Sequence, residues 1–161
     1  MFDRFGEFDS VEELNQTAAG LLAEGDMESL RVLAEENGID KEDAQDYADG
    51  CVNELATPLM AAYGKLNIEA AELKPYEIME DWLQYIKVRC AEDARMAAAV
   101  RKKGKSLKGC IGELLKWSFK NQHPVAQDIL KAAGVTAGRC TLGIPGMGTA
   151  KMIISTYYLG K

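Results

Sequence analysis

Five cations fall within eight residues, Arg101, Lys102, Lys103, Lys105 and Lys108, and Lys116 and Lys120 follow in the same stretch, RKKGKSLKGCIGELLKWSFK. Lysine and arginine at this density can neutralise phosphates and gain free energy by releasing condensed counterions. Gly104 and Gly109 leave the backbone adaptable there. These seven residues are the candidate contacts for a nucleic acid or an acidic protein partner. The alternative is a solvated loop whose cations balance acidic residues elsewhere in the fold.

Other chemistry finds less support. Gly143 and Gly148 have the spacing of a phosphate-binding loop, but Thr149-Ala150 stands where Lys-Ser/Thr is required, and no strand precedes it. A turn that starts the last helix is the reading taken for Gly143–Gly148. Residues 125–142, VAQDILKAAGVTAGRCTL, could form a helix-turn-helix around Ala133-Gly134, with Gly143 and Pro145 shortening the second helix. The one histidine, His123, precedes a proline and has no serine or cysteine partner in a recognisable motif. Adjacent carboxylates such as Glu12-Glu13, Glu35-Glu36 and Glu80-Asp81 point apart on a helix. Cys51, Cys90, Cys110 and Cys140 form no Cys-x-x-Cys pair and are expected to be buried thiols. No enzyme activity, cofactor or metal site is expected.

The elements that must carry these residues are helical. The 161 residues are 47% hydrophobic, ordinary for a globular chain, and no apolar run approaches the ~20 residues of a membrane span. The first ten residues lack an apolar core, so a cytoplasmic location is expected, with no membrane partner. Charge is strongly polarised: residues 1–100 hold 23 acidic and 8 basic residues, residues 101–161 hold 2 and 11. Sixteen of the acids lie in residues 1–54, against three bases. Such a face either keeps the protein soluble or competes with nucleic acid for a basic groove.

Capping chemistry places the helices. Ser10 and Glu13 have capping-box spacing, and Gly25 should end the first helix. Asp26 and Asn37-Gly38 bracket a second, and Asp40 starts a third. Residues 51–73 read as one helix kinked at Pro58 or two collinear ones, and Lys74-Pro75 is the next break. Tyr76–Cys90 returns at helical spacing with Trp82 as a core anchor, Ala94–Val100 follows, and Ser106 should cap the amphipathic helix after the basic cluster. Phe2, Phe5 and Phe8 read as an arm docked on the body.

The segment Gly104-Lys105-Ser106-Leu107-Lys108-Gly109-Cys110, followed by an amphipathic helix, resembles the core motif of the PcfK-like family of mobile-element proteins. Tyr157 and Tyr158 match its aromatic C-terminal helix loosely, and Ile111 stands where the family has an aromatic. The resemblance covers residues 100–120 and implies kinship with a branch that inhibits the RNA-guided nuclease of type II CRISPR systems.

The expected fold is all-α, a multi-helix orthogonal bundle of about seven to nine helices. Its expected parts are an acidic helical unit, 1–54, and a helical body, 55–161, with one compact domain as the alternative. The expected function is that of a non-enzymatic accessory protein of a mobile genetic element that sterically inhibits such a nuclease. The alternatives are a DNA-binding module using the basic cluster and residues 125–142, or a scaffold or homo-oligomer in which opposite charges of neighbouring subunits pair.

Overall fold

The computed structural model describes residues 2–160; Met1 and Lys161, the latter counted among the basic residues above, lie outside the described residues. Nine helices form among them, as the all-α expectation required, together with one two-stranded sheet that the sequence did not announce. The chain divides into two units, residues 1–109 and 110–161.

The first unit begins with α1 (Val11–Glu24), α2 (Met27–Glu36) and α3 (Lys41–Ala48). Their ends are set locally. Ser10 Oγ accepts from the Glu13 amide, Glu13 accepts in turn from the Asp9 amide, and Gly25 closes α1 at φ 72°. Asp26 caps α2 by accepting from the Ser29 amide. Asp40 stands at the N-cap of α3 but makes no side-chain cap bond. One core cluster gathers Leu14, Leu30, Leu33, Ile39, Tyr47, Leu55 and Ala61, with Phe5 and Phe8 packed against it. That cluster crosses residue 54, so the composition boundary there is a change of charge within continuous packing.

Residues 51–57 are irregular, contrary to the helix expected from residue 51, and α4 runs Pro58–Leu73. The reason is local: Thr57 Oγ1 accepts from the Met60 amide, and Pro58 takes the first helical turn, where its missing N–H costs nothing. Cys51 is accordingly exposed rather than buried. The arm at residues 2–9 closes on this unit: the Arg4 and Phe5 amides donate to Glu36, and Arg4 Nη2 donates to Ser29 Oγ. Helix α5 (Ile78–Glu92) and α6 (Ala94–Arg101) pack with α4. Trp82, buried as expected, lies with Leu83, Ile86 and Cys90 on the inner face of α5.

Helix α7 (Leu107–Lys120) starts in the first unit and continues into the second, which then holds β1 (His123–Pro124), α8 (Gln127–Ala132), β2 (Thr141–Leu142) and α9 (Met147–Leu159). The two strands pair antiparallel, and the Val125 amide extends the ladder to the Cys140 carbonyl. Buried Leu114, Leu130, Ala150, Ile154 and Tyr158 hold this unit's apolar positions. No helix among the described residues is long and apolar enough to cross a membrane.

Candidate functional site

The basic loop is gripped from beneath by two buried charges on α4. Lys65 and Glu69 are one turn apart on the face that also buries Ala61, Ala62 and Leu66. The Lys65 ammonium, 1% exposed, donates to the carbonyls of Lys102 (3.0 Å) and Lys105 (2.5 Å) and to Glu7 Oε1 (2.6 Å). Glu69 Oε2 accepts from the Leu107 amide at 2.9 Å, and Ser106 Oγ accepts from the Gly109 amide at 3.0 Å. Two otherwise orphaned amides at the start of α7 are thus satisfied, and a carboxylate sits at the positive end of the helix. Burial pushes the Glu69 carboxyl above its usual range, against the opposing pull of the Leu107 amide and Lys65. With its backbone fixed in this way, the loop presents Lys102, Lys103 and Lys108 to solvent, with Lys105 half-buried.

Arg101 does not belong to that surface. It is 2% exposed, because α6 buries Met96, Ala97, Val100 and Arg101 along one face. Its Nη2 donates to Asn37 Oδ1 at 2.9 Å, and the rings of Phe2 and Phe8 lie 5.6 and 6.0 Å from the guanidinium carbon. Nε and Nη1 make no hydrogen bond among the described residues. The docked arm thus supplies cation–π contacts to a buried charge, and Arg101 joins the packing rather than the lysine surface. Its place four residues after Ala97 was the available signal. Lys116 and Lys120 belong to the second unit and are exposed; Lys116 pairs with Glu113 at 2.5 Å.

The helix-turn-helix expected over residues 125–142 has one helix. After α8 the chain turns at Gly134 (φ 67°) and runs without a second helix into β2. Residues 133–140 offer few positions to bury, and a four-residue β contact takes the place of helix packing. The Gly143–Gly148 stretch leads into α9, with Gly146 at its N-cap. Burial pushes the thiols of Cys90 and Cys110 up to about 12, which leaves them protonated and unreactive. Among the described residues no group of three His, Cys, Asp or Glu side chains could hold a metal ion.

The acidic pole is the larger electrostatic feature. On α2, α3 and their caps, Glu28, Glu35, Asp40, Glu42, Asp46 and Asp49 are exposed, and none pairs with a cation among the described residues. Between the two helices lies a cavity of about 830 Å³. Its floor includes the apolar side chains of Leu30, Ala34, Ile39, Ala44 and Ala48, and its lip carries Glu35, Asp40 and Asp49 beside Arg31 and Lys41.

Compared with protein-family models, with curated proteins and with solved structures, the chain has no match.

Proposed function

We propose that the protein is a non-enzymatic accessory protein whose acidic face on α2 and α3 occupies a positively charged, nucleic-acid-binding channel of a partner and blocks it sterically. One observation carries the reading: the exposed carboxylates of α2, α3 and their caps have no ion-pair partner among the described residues. Such a face carries a potential of several kT, and its complement is a cationic surface. The motif at Gly104–Cys110 makes a type II RNA-guided nuclease of the host of a mobile element the partner to test. Such nucleases hold their heteroduplex in a positively charged channel. Cleavage of target DNA by the guide-loaded nuclease is expected to fall when the protein is added in excess. The triple variant Glu28→Lys, Glu35→Lys, Asp46→Lys should weaken inhibition about tenfold or more. Cleavage unaffected by excess protein would reject the reading.

A second reading rests on the pinned lysine loop, whose fixed backbone lowers the ordering cost of a phosphate contact. On this reading, labelled DNA is bound through Lys102, Lys103 and Lys108. The slope of log affinity against log salt should then flatten by about one for each lysine replaced by glutamine. Binding indifferent to all three replacements would remove the loop from consideration.

A further inference from the structure

We propose that the groove between α2 and α3 receives a cationic amphipathic helix from a protein partner. This deepens the reading above, since it rests on the acidic face being the contact surface and gives that surface its anchor.

Space comes first. Ala34, Ala44 and Ala48 line the groove with side chains too short to fill it, so Leu30 and Ile39 keep an apolar floor beneath about 830 Å³ of open volume. The groove is also held open. At its end, the backbone of Gly38 meets that of Gly64 on α4 so closely that neither position has room for a Cβ. Asn37, beside it, donates from Nδ2 to the Leu33 carbonyl and accepts from Arg101. The turn between α2 and α3 is therefore fastened to α4 and α6, and closing the groove would break these contacts.

Charge selects the occupant. Residues 26–49 contain nine acidic residues and two basic ones, and the lip carries Glu35, Asp40 and Asp49 beside Arg31 and Lys41. A neutral apolar ligand would leave that excess of negative charge without a counterpart. A helix with leucine-sized residues along one stripe and lysines or arginines flanking it satisfies floor and rim together, as helix-in-groove recognition requires.

The test uses the full chain and two labelled synthetic peptides of about 15 residues and identical Leu/Lys composition. One has leucines at helical spacing and the other is scrambled to abolish the stripe. Fluorescence anisotropy should show micromolar binding of the first and binding at least about tenfold weaker for the second. Gln45→Trp and Ala48→Trp, which fill the groove from an exposed and a half-buried position, should each lower affinity about tenfold or more. Circular dichroism identifies any variant that has lost helix, and Gln45→Trp, the exposed site, remains decisive if Ala48→Trp has. Equal binding of both peptides, unchanged binding by Gln45→Trp, or no binding at about 100 µM protein would overturn the proposal. Nuclease cleavage left intact by a protein that binds the patterned peptide would reject the nuclease reading while the groove assignment stands.

Discussion

Gly64→Ala is expected to cost about 3 kcal/mol or more and to lower the melting temperature by on the order of 10 °C in a circular-dichroism melt. A Cβ at residue 64 would overlap the Asn37 carbonyl oxygen and press on the Gly38 backbone. These are main-chain atoms, so no flexible side chain can swing away. Relief requires α4 to move from the α2–α3 turn, and that turn also positions Asn37 for Arg101. Gly38→Ala should be worse, since it meets the Gly64 main chain and also places a side chain at φ +65°, a left-handed conformation costing about 1–2 kcal/mol more. Melting temperatures within about 2 °C of the parent for both variants would show that the two backbones separate at little cost.

Lys65→Met, nearly equal in volume, should destabilise by about 3–5 kcal/mol at pH 7. It removes the donor shared by Glu7 and the Lys102 and Lys105 carbonyls, and with it a buried positive charge that favours the Glu69 carboxylate. The deficit should depend on pH. Glu69 titrates above its ordinary 4.5, chiefly through burial, and Lys65 partly offsets this. A carboxyl whose folded-state pKa is raised contributes stability that is fully present below its unfolded value and lost as pH rises through the folded one. Without Lys65 the folded value climbs further, so the variant loses more than the parent at pH 7 and recovers toward it as the pH falls to about 4.5. Urea unfolding at several pH values checks this, and a deficit that is flat with pH would show that Glu69 does not feel the loss.

How much could be read in advance follows from how local each cause is. Ser10 with Glu13, Asp26, Gly25 and Asn37-Gly38 act within one turn of the chain, and the helices begin and end where these residues put them. Thr57-Pro58 belonged to the same class and starts α4 with Pro58 in its first turn, though residues 51–57 hold no helix for it to kink or restart. Depth is another matter. Lys65 and Glu69 have the spacing of an exposed ion pair, and only Ala61, Ala62 and Leu66 beside them mark the face as interior. Arg101 looked like the first cation of a surface cluster because composition counts charge and is blind to which face of α6 carries it. The pairing of His123–Pro124 with Thr141–Leu142 joins residues far apart in sequence, with two-residue strands too short to leave a period. The lysines of the loop were legible as a cluster; the two charges that fix their backbone were not.

The grip of Lys65 on Glu7 and on the Lys105 carbonyl spans 58 and 40 residues of sequence. A chain growing toward its C-terminus makes α1, α2 and α3 long before it makes Lys65, Arg101 and the Lys105 carbonyl. The arm can therefore dock early through Arg4 and Phe5 on Ser29 and Glu36, but Glu7 and Phe2 gain their contacts with Lys65 and Arg101 only once α4 and α6 have been synthesised. Phe2 is thus among the last side chains to find its place, and during that interval its ring is open to whatever else in the cell binds exposed phenylalanine.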